Sequence, residues 1–224
     1  MIFAMMDSRQ SHDKGLAMGM EVMCFDLEGV LVPEIWINVA EHTGIEALRL
    51  TTRDVPDYDQ LMNYRLKILD ENGLGIADIQ QVIAELHPLP GAKEFFDWAR
   101  RNFQAVILSD TFYDFAQPLM AQLGYPLLFC HNLEIDENGR IVGYNIRMSD
   151  QKAAAVKAFR HLNFTVFAAG DSYNDTGMLL KADQGFLFNP PTKVAEEFPQ
   201  LPVVTDYEQL KSELIRISSR KILD

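Results

Sequence analysis

Short apolar runs at residues 22–25, 105–108, 165–168, 185–188 and 202–204 alternate with amphipathic stretches of helix length at 92–101, 112–123, 151–161, 174–182 and 207–217. Runs this short cannot make helices of their own and fit strands buried on both faces. A strand that returns through a helix comes back parallel to its predecessor, because a tight hairpin is no longer available to it. The expected fold class is therefore α/β, a doubly wound, Rossmann-like parallel sheet with helices on both faces. Such sheets bind ligands outside the carboxyl ends of their strands, so chemistry is sought in the residues that follow each run.

Two intervals interrupt the alternation. Residues 34–87 hold no convincing strand; helical stretches at 34–42, 57–72 and 76–86 fit instead, separated by breaks at Thr43-Gly44, Val55-Pro56 and Asn72-Gly73. This reads as a helical cap inserted after the first strand, with Pro88-Leu89-Pro90-Gly91 as the return hinge and residues 20–33 plus 88–224 as the core. In the second interval, Asp136-Glu137-Asn138-Gly139 is a turn between residues 133–135 and 141–146, which predicts a β-hairpin.

Composition excludes several roles. The net charge of -12 and pI of about 4.8 repel phosphate backbones and argue against nucleic acid as a partner. No apolar run is long enough to span a membrane. The two cysteines, Cys24 and Cys130, show no disulfide or metal spacing, which fits a reducing, cytoplasmic location. Residues 1–19 are polar and Met-rich, lack the apolar core of a signal peptide, and read as a disordered extension ahead of Met20.

Four patches at strand ends or helix starts carry candidate chemistry. In the first, Asp26-Leu27-Glu28-Gly29 follows the first strand and places two acids where burial is costly without a metal or a reaction to use them. Gly29 permits a turn that brings both acids to one pocket. The second, Ser109-Asp110-Thr111, offers a hydroxyl and backbone N–H groups for a phosphate, although read alone it suits a helix N-cap better. The third, Asp150-Gln151-Lys152, puts a lysine in a first helical turn, against the helix dipole. The fourth, Gly170-Asp171-Ser172-Tyr173-Asn174-Asp175, supplies two hard carboxylates suited to Mg²⁺. Within the cap, Tyr58, Met62, Arg65 and Leu69 share one helix face. An arginine there either pairs a carboxylate in a cleft or snorkels at the core edge, and the pattern does not choose. Glu34, as a helix-start acid, needs no other explanation. His42, His87 and His161 read as surface residues, Trp36 and Trp98 as packing.

Taken in order, acid pair, hydroxyl, lysine and acid pair resemble the haloacid dehalogenase superfamily of aspartyl phosphotransferases. The cap and the segment His131-Asn132-Leu133-Glu134 with its hairpin resemble the phosphoserine phosphatase branch. Residues 26–36 and 51–59 are most similar to a bifunctional subgroup that also transfers phosphate from phosphoserine to homoserine. That similarity runs from Met20 nearly to the C-terminus, with Glu28 where the family usually has Asp. The resemblance implies Asp26 as nucleophile and Glu28 as acid and base. It implies Mg²⁺ held by Asp26, the Glu28 carbonyl and Asp171, with Asp175 orienting Lys152 and the metal's waters. Ser109, Asp110 and Lys152 would hold the phosphate, Asn174 would touch substrate, Arg65 would pair its carboxylate and Glu34 its amine. The implied substrate is O-phospho-L-serine and the acceptor water or L-homoserine; a homodimer is compatible with this reading, but no residue pattern demonstrates it. Another small phosphomonoester as substrate, or a silent phospho-ligand sensor, are the competing expectations.

Overall fold

The computed structural model describes residues 19–51, 54, 55 and 57–223. Residues 1–18 of the extension expected at 1–19, with Thr52, Arg53 and Pro56 of the segment compared above, lie outside them. The strands are β1 (Glu21–Phe25), β2 (Gln104–Phe112), β3 (Leu127–Ile135), β4 (Ile141–Asn145), β5 (Thr165–Gly170), β6 (Gln184–Phe188) and β7 (Val203–Val204). They form one sheet in the order β4-β3-β2-β1-β5-β6-β7, parallel throughout except for the antiparallel β3–β4 hairpin. Cys24 in the middle of β1 sits opposite Val106 on one side and Ala168 on the other. The chain first builds outward from β1 through β2, then returns to build the other flank from β5. Beside β1 the winding reverses, and the crevice at its carboxyl end is where a ligand fits.

The helices before the hairpin are α1 (Ile35–Thr43), α2 (Tyr58–Glu71), α3 (Ile76–Glu85), α4 (Ala92–Asn102) and α5 (Tyr113–Gln122). Those after it are α6 (Gln151–His161), α7 (Thr176–Lys181), α8 (Thr192–Glu197) and α9 (Tyr207–Ile217). β1 shows why the sheet needs cover on both faces. Val22 and Cys24 enter one apolar cluster with Val166 and Ala168, while Met23 and Phe25 enter a second with Phe96, Phe167 and Phe186.

Helices α1–α3 form the expected cap between β1 and α4. A proline helps dock them. Pro118, inside α5, has no N–H to donate to the Asp114 carbonyl one turn earlier. The Gln80 amide of α3 donates to that carbonyl instead, at 2.8 Å. The hairpin grips the cap from the other side: Ile76 N–H donates to the Gly139 carbonyl (2.9 Å), the Tyr144 hydroxyl to Asp59 (2.6 Å), and Arg140 pairs with Asp70.

Three features differ from the sequence expectation. β2 continues through Ser109–Phe112 with a register shift, so α5 starts at Tyr113 and has no side-chain cap; the N-cap reading of Ser109–Thr111 is thereby corrected. β3 begins at Leu127, well before the hairpin. The stretch at 174–182 splits into a 3₁₀ turn (Tyr173–Asp175) and α7. At the amino end of β1, buried Glu21 accepts from Ser218 Oγ (2.6 Å) and Ser219 N–H (2.8 Å). Nearby the Trp98 indole N–H donates to the Leu223 carbonyl at 2.9 Å. No helix among the described residues is long and apolar enough to cross a membrane.

Candidate active site

Asp26 leaves β1 still paired: its N–H donates to the Ala169 carbonyl at 2.9 Å. The chain then folds on itself, with the N–H groups of Leu31 and Val32 returning to the Leu27 carbonyl at 2.8 and 3.0 Å. Gly29 holds φ at +77°, and a Cβ there would lie 2.7 Å from the Asp171 carboxylate, so both backbone and space require glycine. This turn sets Asp26 and Glu28 on one cavity of about 150 Å³.

Ser109, Asp110, Lys152, Asp171 and Asn174 line the sheet side of that cavity, and Glu34 and Arg65 the cap side. Asp175 is fully buried behind it. Every candidate residue from the sequence is thus brought together.

Lys152 is the electrostatic centre. Its ammonium, 2% exposed, donates to Asp26 Oδ1 and Asp175 Oδ1 at 2.8 Å each and lies 3.5 Å from Asp110 Oδ2. Burial disfavours its charge, but Asp110, Asp175 and Asp26 outweigh burial and hold its pKa well above the usual lysine range. Asp26 is pushed up, first by burial and then by Asp175, with Lys152 opposing. Asp171 is pushed up to about 7 by burial, then by Asp175 and Glu34. Ligand oxygens of Asp26, Asp171 and Asp175 lie within 4.8 Å of one another. Three crowded hard-oxygen donors, two of them disfavoured as anions by burial and mutual repulsion, fit a small divalent cation such as Mg²⁺. Asp175 is already engaged: Oδ1 takes Lys152, while Oδ2 accepts the N–H groups of Asp171 (3.0 Å) and Ser172 (3.1 Å). Its oxygens are thus less free to meet a cation than those of Asp26 and Asp171.

Glu28 Oε2 accepts the N–H of Ile35, the first residue of α1, at 2.8 Å. It therefore caps a helix that Glu34, in the cap position, does not. Burial, then the nearby Glu34, raises Glu28 to about 7.

On the cap side, Arg65 does not snorkel. It is 6% exposed, its guanidinium stacks 4.4 Å over the Trp36 ring, and one terminal nitrogen donates to the Leu50 carbonyl at 2.7 Å. Its Nε is buried with no partner, a costly state that a ligand oxygen would relieve. Burial lowers its pKa to about 10, with Glu28 opposing. Trp36, read above as packing, does belong to the buried core, edge-on to Phe115, and it also lines the cavity and supports this arginine.

Sequence reasoning missed Gln151 and His131. Gln151 is 2% exposed; its amide N–H₂ donates to the Ser109 carbonyl (2.5 Å) and Asp110 (3.2 Å), and its carbonyl accepts from Arg147 at 2.8 Å. His131 Nδ1 accepts the Arg147 N–H (3.2 Å), and Nε2 lies 3.7 Å from Asp110. Burial would raise Asp110, but Lys152 and hydrogen bonds from His131 and Gln151 outweigh it and hold the carboxyl well below the usual range. The one available signal was the position of Gln151, next to Lys152 in the same helical turn.

A profile of the haloacid dehalogenase-like hydrolases matches residues 25–180. Over 203 residues the chain is 62% identical to phosphoserine phosphatase ThrH of Pseudomonas aeruginosa, covering 91% of this chain and 99% of that protein. It is 60% identical over 203 residues to a phosphoserine phosphatase of Pseudomonas syringae pv. tomato, covering 91% and 86%. Its fold is shared, at a TM-score of 0.72 and 18% identity over 87% of this chain and 99% of the other, with a phospho-aspartyl intermediate analogue of phosphoserine phosphatase. The matched residues include the strand ends that carry the cavity and the helices that close it, and the chain belongs to the haloacid dehalogenase-like hydrolases, in their phosphoserine phosphatase branch.

Proposed function

We propose that this enzyme takes the phosphoryl group of O-phospho-L-serine onto Asp26 and delivers it to water or to L-homoserine, with Mg²⁺ as cofactor. One observation carries the reading. A single cavity opposes the Asp26–Lys152 pair to Arg65, whose buried Nε lacks a partner. A small molecule bearing a phosphate at one end and a carboxylate at the other satisfies both walls.

The chemistry follows from charge. A carboxylate approaching a phosphate dianion is repelled by about 4 kcal/mol per charge pair at 4 Å and an effective dielectric near 20. Lys152, already 2.8 Å from Asp26, offsets part of this and holds the nucleophile in place. Asp26, Asp171 and the Glu28 carbonyl, with Asp175 behind them, would hold Mg²⁺, which would supply further positive charge against the same repulsion. Ser109 and the backbone N–H groups after it accommodate the remaining phosphate oxygens. Asn174 faces the same ligand, kept in place by Ser172 Oγ at 2.7 Å and by its own contact with Asp110 at 3.4 Å. Arg65 pairs the substrate carboxylate and Glu34 its ammonium.

Asp26 attacks phosphorus, and the bond to the serine oxygen breaks as Glu28 gives that oxygen a proton. Glu28 then takes the proton from the acceptor, whose oxygen displaces Asp26. With two buried free thiols, Cys24 and Cys130, the proposed setting is the reducing cytoplasm.

The test is a product assay with O-phospho-L-serine and Mg²⁺, with and without L-homoserine, following inorganic phosphate and O-phosphohomoserine together. Phosphate alone is expected without homoserine, and phosphohomoserine at its expense when homoserine is added. Asp26→Asn should abolish both. No turnover of phosphoserine would overturn the substrate, and turnover by Asp26→Asn would overturn the nucleophile.

A further inference from the structure

Gln151 is a buried polar side chain to which the chemistry above gives no task. It is 2% exposed, stands beside Lys152 at the start of α6, and lies outside the lining of the catalytic cavity. Both ends of its amide are engaged. The N–H₂ end faces two acceptors, the Ser109 carbonyl at 2.5 Å and Asp110 Oδ1 at 3.2 Å. The carbonyl end accepts from Nε (3.2 Å) and a terminal nitrogen (2.8 Å) of Arg147, on the return from the hairpin.

The acceptors sit where β2 leaves its ladder. Its paired residues end at Ile107 on the β1 side. On the β3 side pairing at Leu108 and Phe112 keeps the segment extended, but the three residues between them have no partner in either register. Ladder bonds ordinarily fix which way each peptide group of a strand points. Here side chains supply that orientation. Ser109 Oγ accepts the Thr111 N–H at 3.3 Å, which leaves its own hydrogen for a ligand oxygen. The Asp110 carbonyl accepts from the Tyr58 hydroxyl at 3.2 Å, and the Ser109 carbonyl accepts from Gln151.

The Ser109 carbonyl and the Asp110 N–H belong to one planar, trans peptide group and point opposite ways. Gln151 grips the carbonyl from outside the cavity, so the N–H turns toward the cavity that Ser109 and Asp110 both line. There it can donate to a phosphate oxygen, alongside the Ser109 hydroxyl and the Lys152 ammonium. The same amide also holds the Asp110 side chain. Oδ1 stays with Gln151, 3.7 Å from His131 Nε2, while Oδ2 lies 3.5 Å from Lys152. A carboxylate free to swing from that position would confront the phosphate with like charge. One buried amide thus aims a donor at the ligand and pins an anion to the wall.

We infer that Gln151 is a positioning residue for the phosphate end of the substrate, acting through the Ser109–Asp110 peptide group and the Asp110 carboxylate. The inference rests on the proposal above that the phosphate sits against Ser109 and Lys152. The test measures binding of inorganic phosphate by calorimetry with Mg²⁺ present, a reading that does not depend on which ester the enzyme prefers. Two variants separate the ends of the amide. Gln151→Leu removes both sets of bonds without adding charge; Gln151→Glu keeps an acceptor for Arg147 but has no N–H for Ser109. Both should weaken phosphate binding by about tenfold, the usual worth of a hydrogen bond to a charged group, with thermal midpoints near that of the parent. The kcat/KM values for O-phospho-L-serine and p-nitrophenyl phosphate, which share only the phosphate end, should fall together. If Gln151→Leu does not fold, Gln151→Glu carries the test alone. Phosphate bound within about twofold of the parent by Gln151→Glu would show that only the tie to Arg147 matters and would overturn the role. So would a fall in kcat/KM confined to phosphoserine, which would place the effect at the cap. A parent enzyme that binds phosphate but releases none from phosphoserine would instead overturn the proposed substrate.

Discussion

The Glu28 carboxylate accepts the first N–H of α1 at 2.8 Å while it lines the catalytic cavity, so the proposed acid and base is also the cap of the helix that opens the lid. These two duties separate experimentally. Glu28→Gln keeps an oxygen for Ile35 but has no proton to give at the leaving group. Turnover of phosphoserine should fall by about 10²–10⁴, the usual contribution of a positioned acid. The first-turnover burst of p-nitrophenol from p-nitrophenyl phosphate, whose leaving group needs no proton, should slow far less, because only the later release of phosphate still needs Glu28 as base, and the thermal midpoint should hardly move. A burst slowed as much as phosphoserine turnover, together with a lowered thermal midpoint, would show that the residue matters only to structure. The residues of this site differ in how visible they are in the sequence. Asp26, Lys152 and Asp171 are legible because each follows a strand or opens a helix of a recognisable sheet. The capping by Glu28 is not, because its helix begins seven residues later and a loop of that length leaves the contact open. Gln151 and His131 are illegible for a related reason: their partners, Ser109 and Asp110, belong to another strand.

Between elements, the least expected joint is the Gln80 amide in the place of the N–H that Pro118 lacks. A buried carbonyl left without a donor costs about 1–3 kcal/mol, and this bond is part-buried, so Gln80→Ala should destabilise the protein by about 1 kcal/mol. In a Pro118→Ala background the restored N–H reaches the Asp114 carbonyl, and the same Gln80→Ala change should then cost little. Urea unfolding of the four proteins forms a double-mutant cycle; additivity of the two changes would refute the joint. The start of β3 was missed for want of contrast. Leu127-Leu128-Phe129-Cys130 follows Gly124-Tyr125-Pro126, where both Gly124 and Tyr125 have positive φ, and runs without a break into the hairpin. The polar end of β2 was missed because Ser109, Asp110 and Thr111 have the composition of a helix cap, and only pairing with β3 keeps them extended.

At the scale of the molecule, both thiols are sealed in the core, Cys24 on the central strand and Cys130 on β3. Burial pushes Cys130 from 9.0 up to about 12, and Cys24 is raised by the same cause. Below about pH 9 folded and unfolded chains both keep these protons, and the thiols do not affect the balance. As the pH rises from there toward the folded value, the unfolded chain releases protons that the native one retains, and native stability falls. Urea midpoints should therefore drop between about pH 8 and pH 10.5, and drop less in Cys130→Ala; equal slopes would place the loss elsewhere. The molecular plan was the most legible level of all, because strand and helix alternation dictates a parallel sheet whatever the local details. The chain also contains only two tryptophans, and the fold has sent them to opposite poles. Trp36 lies beneath Arg65 in the cavity; Trp98 lies beyond the far end of β1, bonded to the Leu223 carbonyl. The enzyme thus carries its own pair of optical probes. One is quenched or shifted by whatever reaches the arginine, and the other reports on the docking of the C-terminal segment.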